Sequence, residues 1–168
     1  TMAQTAEGFW KDLEESLKMM KTDYIDIYQF HNPSFCPKPG DESGLYGAAL
    51  EAKKLGQIRH IGITNHRIAV AEEAIASGLY ETLQFPFSYL AADADRKIVE
   101  KCKEADMGFI AMKGLAGGLI HNSAAAYAYM AQPQFSHVAP IWGVQREAEL
   151  EEFLSYQTCP PHLCGELL

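Results

Sequence analysis

Apolar residues first recur at helical spacing. Phe9, Trp10, Leu13, Leu17 and Met20 stand among Lys11, Asp12, Glu14 and Glu15, and Thr5 is placed to cap the helix they form. The period then changes. Tyr24-Ile25-Asp26-Ile27-Tyr28-Gln29-Phe30 is a β-branched and aromatic run that reads as a strand, and it stops at His31-Asn32-Pro33. A loop over 34–44, rich in Pro and Gly, leads to a helix over 45–55 closed by Gly56. The same order recurs. A strand over 58–63 ends at Thr64-Asn65, and a helix over 68–77 turns Val70, Ala71, Ala74 and Ile75 inward and stops at Gly78. A short strand over 83–87, interrupted by Pro86, precedes a helix over 95–105 with Ile98, Val99 and Cys102 on one face. The continuous apolar run 107–112 is of buried-strand type and ends at Lys113-Gly114. An alanine-rich helix over 124–132, a strand over 138–142 and a helix over 147–156 follow, the last with Leu150, Phe153 and Leu154 on its apolar side. The tail from Thr158 is expected to be unstructured.

This is a lone helix followed by five strand-then-helix units, each of roughly 25 to 35 residues, the spacing of βα units in a parallel sheet. Alternation alone leaves a closed barrel and an open doubly wound sheet as alternatives. With 168 residues, 48% of them hydrophobic, the chain is expected to form one domain over 1–156 with a tail over 157–168. A formal charge of -8 argues against nucleic acid as a partner. No run approaches the ~20 apolar residues of a membrane span, and Thr1 to Glu7 lacks the parts of a signal peptide, so a cytoplasmic protein is expected. Cys36, Cys102, Cys159 and Cys164 are scattered and read as free thiols. Neither H-x-x-x-H nor C-x-x-C occurs, so no metal site is expected.

Parallel sheets bind ligands beyond the carboxyl ends of their strands. Here those positions hold His31-Asn32, Thr64-Asn65-His66, Gln84 in its short strand, Lys113, and the turn Gly143-Val144-Gln145-Arg146. Any one polar residue at a strand end can simply meet water, but together these converge on one face. His31 is the sharpest candidate, since an imidazole after a strongly apolar strand suits holding or protonating a carbonyl oxygen. His60, His66, His121, His137 and His162 read as surface or packing residues. Gly114, Gly117 and Gly118 follow a buried strand, where a backbone could approach a phosphate or a ring, or form a plain tight loop. They make neither G-x-G-x-x-G nor a Walker motif.

In this order the segments resemble the aldo-keto reductases over roughly residues 5–156. Thr22-Asp23-Tyr24-Ile25-Asp26-Ile27-Tyr28-Gln29-Phe30-His31 looks like the family's strand ending in its catalytic histidine. Gly56-Gln57-Ile58-Arg59-His60-Ile61-Gly62-Ile63-Thr64-Asn65 is similar to the stretch whose last hydroxyl and amide hold the nicotinamide, and Leu83-Gln84 to the strand whose glutamine contacts the same ring. Ile110-Ala111-Met112-Lys113-Gly114-Leu115-Ala116-Gly117-Gly118 resembles the segment beside the pyrophosphate, and Ile141-Trp142-Gly143 through Glu152 the turn and helix around the adenosine. The likeness is greatest to a bacterial branch whose longer members carry a cysteine-rich iron–sulfur segment. Cys159 and Cys164 begin no such series.

The resemblance implies a TIM-type (β/α)8 barrel, here incomplete with about five parallel strand-helix units, that reduces small carbonyl compounds with NADP or NAD. It implies His31 as catalytic residue, with Thr64, Asn65, Gln84, Met112, Lys113, Leu115, Gly117, Gly143, Gln145, Arg146 and Glu152 toward the cofactor. The family's Asp, Tyr and Lys belong to opening strands that have no counterpart in this sequence, so a truncated, catalytically incomplete chain is expected, with a nucleotide-binding or self-associating remnant as the alternative. Met112 replaces a stacking tyrosine. Gly143 and Glu149 stand where NADP-dependent members place a Lys and an Arg, and a carboxylate there repels the extra phosphate. Exposed sheet edges, and an inner layer expected to include Ile25, Ile27, Ile61, Ile63 and Ile110, lead to the expectation of a homo-oligomer.

Overall fold

The computed structural model describes residues 1–160. Helix α1 (Ala6–Met20) begins where Thr5 accepts a hydrogen bond from the Gly8 amide at 3.2 Å, the cap expected from sequence. After it come β1 (Ile25–His31), α2 (Leu45–Lys54), β2 (Ile58–Thr64), α3 (Ile68–Ser77), β3 (Thr82–Pro86), α4 (Asp93–Glu104), β4 (Gly108–Met112), α5 (Ser123–Met130), β5 (Val138–Pro140) and α6 (Glu147–Thr158). Two 3-10 turns, Ala116–Gly118 and Pro133–Phe135, flank α5. The strands pair in the order β1-β2-β3-β4-β5 and every pairing is parallel. This is an open, partial version of the (β/α)8 sheet.

The register sorts the side chains into two faces, because alternate strand residues point opposite ways. Tyr28 and Phe30 of β1, Ile61 and Ile63 of β2, Leu83 and Phe85 of β3, and Phe109 and Ala111 of β4 are buried in one cluster with Phe9 and Leu13 of α1, Ala49 and Ala52 of α2, Ala71 and Ala74 of α3, and Ile98 and Cys102 of α4. The helices therefore cover a single face. The opposite, inner face carries Ile27, Gln29 and His31 beside His60, Gly62 and Thr64, then Thr82 and Gln84, then Gly108 and Ile110, residues that are Cα partners across the ladders.

Ile61 and Ile63 thus depart from the sequence expectation. The stretch Ile58 to Thr64 is apolar at successive positions, so its parity could not be read from pattern, and both isoleucines pack under the helices instead of on the inner layer. The inner face is accordingly more polar than expected. On α6 it is Phe153 and Tyr156 that are buried, while Leu150 and Leu154 are exposed, as is Met20 at the end of α1. β5 is shorter than the expected strand and leaves Ile141 exposed.

Part of the outer edge of β1 is covered by the chain's own Thr1. Its amino group donates to the Gln29 carbonyl at 2.8 Å and its carbonyl accepts the His31 amide at 2.8 Å. Cys36 and Cys102 are buried free thiols, whereas Cys159 is disulfide-bonded, against the expectation of a free thiol there. The tail expected to be unstructured from Thr158 is helical at that residue, and its part beyond 160, with His162 and Cys164, lies outside the described residues. No helix among the described residues is long and apolar enough to cross a membrane, and among them no group of His, Cys, Asp or Glu could hold a metal ion.

Candidate functional site

The carboxyl ends of the strands bring His31, Thr64, Gln84 and Met112 side by side. His31 and Thr64 are the last residues of β1 and β2 and are Cα partners; Thr64 is partnered in turn by Gln84, and Gln84 by Ile110. The Thr64 hydroxyl lies 3.3 Å from His31 Nδ1. Deeper on the same face, Gln29 donates from Nε2 to Gln84 Oε1 at 3.1 Å, and Gln84 Nε2 points at the Met112 sulfur at 3.6 Å. Gln29 Oε1 and the Thr82 hydroxyl are buried without a hydrogen-bond partner. The Gln29 amide is thus only half-satisfied.

Asn65 follows β2 but is fully buried. Its Nδ2 donates to the Pro33 carbonyl at 2.8 Å, and its Oδ1 accepts the amides of His66 at 3.0 Å and Arg67 at 2.9 Å. The side chain therefore fastens the end of β1 to the start of α3, a turn-forming use of Asn that caps orphan amides.

Beyond β4 the chain folds back on itself. Lys113 and Ala116 adopt positive φ (58° and 49°), as do Gly117 and Gly118 (67° and 96°), and the Ala116 amide donates to the Lys113 carbonyl at 2.7 Å. This loop and the start of α6 enclose an open groove of about 770 Å³. Seven of the residues singled out from sequence line it: Lys113, Leu115, Gly117, Gly143, Gln145, Arg146 and Glu152. Ile141 and Trp142, at the head of the segment likened to the adenosine turn, line it as well, and sequence reading gave no site role to His121, Ser123 and Phe153, which line it too. The signal for Trp142 was present, since a glycine at 114 directly after a buried strand leaves room for a ring: a Cβ there would meet Trp142 at 2.5 Å. Trp142 stacks in turn on Phe153, with ring centroids 4.6 Å apart.

Charge is distributed unevenly over the site. His66 is held below the usual histidine pKa, first by burial and then by repulsion from its neighbours Lys113, His31 and Arg67, so these four cluster at the strand ends in an otherwise acidic chain. Lys113 belongs to both the groove and this cluster. At the groove's far end Arg146 is paired with Glu149, Nη2 to Oε1 at 2.7 Å and Nε to Oε1 at 2.9 Å. The other oxygen of Glu149 accepts the Gln145 amide at 2.8 Å, and that bond together with Arg146 holds the carboxyl below its ordinary pKa. Glu152 accepts hydrogen bonds from the hydroxyls of Ser123 and Tyr156, which keep it ionised as well.

No tyrosine approaches His31 among the described contacts. Tyr24 lies under the Arg59 guanidinium, and Tyr28 packs edge-on against Phe9 beneath the helices. Tyr46 and Tyr80 donate to the carbonyls of Leu79 and Pro37, and burial raises both hydroxyls above the ordinary tyrosine range. Tyr89 and Tyr129 belong to a ring cluster with Arg96, while Tyr127 packs on Tyr156 of α6. These are all eight tyrosines of the sequence.

The family model described as the aldo/keto reductase family matches residues 3–137. Methylglyoxal reductase DkgB of Salmonella typhi is 47% identical over 68 residues, which are 39% of this chain and 24% of that protein. The oxidoreductase YrpG of Bacillus subtilis is 31% identical over 121 residues, 68% of this chain and 36% of YrpG. Among solved structures, the holo form of aldo-keto reductase AKR11C1 from Bacillus halodurans superposes with a TM-score of 0.72 at 18% identity, covering 90% of this chain and 62% of that one. The thermostable aldo-keto reductase Tm1743, in complex with the inhibitor epalrestat, gives 0.68 at 22% identity, covering 94% and 63%. The chain thus spans a quarter to two thirds of the length of these relatives.

Proposed function

The chain belongs to the aldo-keto reductase family, and from that premise we propose that it forms the dinucleotide-binding part of an oxidoreductase acting on a small aldehyde or ketone. The observation that carries this is the groove running from Lys113 to Glu152, in which seven of the residues singled out from sequence meet, joined through Lys113 to the cluster around His31. The lining fits a dinucleotide. Cβ atoms built at Gly117, Gly118 and Gly143 would meet nothing within 4 Å, so their backbone is open to a ligand, and Lys113 supplies a cation where a pyrophosphate would lie. When bound, the nicotinamide supplies the hydride.

The chain's own residues then have separable roles. Gln84, whose amide nitrogen has only a sulfur for partner, is available to the nicotinamide amide, and Met112 offers an apolar edge to the ring. His31 presents its imidazole to the substrate oxygen. Glu149 and Glu152 set the adenosine end. Because Arg146 is paired with Glu149, whose carboxylate repels a 2′-phosphate, the arrangement favours NAD over NADP. With every tyrosine engaged elsewhere, the chain taken alone holds the cofactor without reducing a carbonyl, since loss of a positioned proton donor costs ~10²–10⁴-fold in rate. Calorimetric titration with NADH and NADPH, beside an assay with a simple aldehyde, tests this. Saturable NADH binding, weaker NADPH binding and no turnover are expected. Absence of binding to either nucleotide would remove the proposal, and turnover would require an acid among the residues described above.

A further inference from the structure

We propose that Thr64 is a positioning residue for His31, its hydroxyl fixing which ring nitrogen carries the proton. The two residues end adjacent parallel strands in register, which sets their side chains together on the inner face. The Asn32 amide points at Thr64 and is shared between its carbonyl and its Oγ1, each at 2.9 Å. The hydroxyl oxygen is therefore already an acceptor. Thr64 is only 3% exposed, so its own proton cannot turn to bulk water. The acceptor within reach is His31 Nδ1 at 3.3 Å. A hydroxyl that donates to Nδ1 requires that nitrogen to be unprotonated, and the neutral ring then carries its proton on Nε2.

The surroundings hold this arrangement in place. Asn65 binds the Pro33 carbonyl at 2.8 Å and Arg67 reaches Asn32 Oδ1 at 3.4 Å, so the backbone just after His31 is fastened to the segment just after Thr64. Thr-Asn at the end of β2 acts as a clamp on the histidine's strand. These contacts alone support the tautomer. That the Nε2–H donates to a carbonyl oxygen rests on the function proposed above.

Long-range ¹H–¹⁵N NMR of the uniformly labelled chain, without nucleotide or substrate and at a pH where the ring is neutral, reads the tautomer, with H31Q identifying the resonances. In the wild type His31 Nδ1 is expected at the shift of a bare ring nitrogen and Nε2 at that of a protonated one. T64V, nearly isosteric, should move both toward their mean, a loss of roughly two- to tenfold in tautomer ratio as for one typical hydrogen bond. T64S, which keeps the hydroxyl, should restore the wild-type pattern. A proton on Nδ1 in the wild type overturns the proposal whether or not T64V folds, as does a T64V spectrum unchanged from wild type. Because no cofactor takes part, a failed nucleotide titration leaves this result standing, and the reverse holds as well.

Discussion

Glu81, at the foot of β3 opposite the site, receives Lys53 at 2.8 Å, His60 Nδ1 at 2.9 Å and the Ile61 amide at 2.9 Å. Partial burial works to raise its pKa, but the hydrogen bonds from Lys53, His60 and Ile61 outweigh it and bring the carboxyl down to about 2. A depressed carboxylate stabilises the fold above its unfolded pKa, roughly 4.3, and that contribution is lost as pH falls toward 2. E81Q should therefore lower stability at pH 7 by on the order of 1 kcal/mol or less, since the group is more than a third exposed. In urea titrations the gap to wild type should close as pH drops below about 4; a gap independent of pH would count against the assignment. At this scale the sequence was informative about residue type but not about commitments. His31 and Gln84 were visible because polar residues followed apolar runs. That the Asn65 amide is spent on a turn was not, because an amide in a loop and an amide in a clamp look alike without the Pro33 carbonyl beside them. Glu149 was noticed as a charge, but its pairing with Arg146, three residues before it, was not read from the sequence.

Strands and helices were legible wherever one face alone is apolar. α1, α3 and α4 lie where the helical period placed them, and their glycine or polar flanks set their ends. β2 was legible as a strand but not in its orientation, since Ile58, Ile61, Gly62, Ile63 and Thr64 are all buried and a one-residue change of parity leaves the pattern equally apolar. Gly62 adds to this: a Cβ there would stand 2.3 Å from the Thr82 hydroxyl, so the inner face is too crowded for any side chain at that position. α6 failed differently. Leu150 and Leu154 formed a plausible apolar stripe, yet the helix turns Phe153 and Tyr156 inward because Trp142 and Tyr127 offer ring surfaces there. That contact joins the loop after β4 to α6 through Gly114. G114A should force Trp142 off its seat, costing about 1–3 kcal/mol of stability. It should also weaken nucleotide binding, because the same ring forms the groove wall. Thermal melts and a nucleotide titration of the variant check both; unchanged values would mean that the groove wall lies elsewhere.

Over the described residues the molecule is five parallel strands with helices on one face and an inner face carrying Gln29, His60, Gln84 and Ile27 toward the outside. We propose that the chain associates with itself in solution. The drive is smaller than an all-isoleucine layer would give, yet Ile27 is 39% exposed on that face and Leu119, Ile141, Leu150 and Leu154 are exposed around the groove and α6. Light scattering across a concentration series should show a mass above that of one 18.6 kDa chain, falling on dilution; a constant monomer mass would contradict it. The central claim is that the groove between the loop after β4 and α6 takes a nicotinamide dinucleotide. Trp142 stands in its wall and Trp10 on α1, far along the chain from it, is the other tryptophan. The most direct measurement is the fluorescence of a W10F variant titrated with NADH. Saturable quenching of Trp142, abolished by excess unlabelled NAD and weakened by K113A, is the expected result. Quenching that rises linearly without saturation, or that is indifferent to NAD and to K113A, would contradict it.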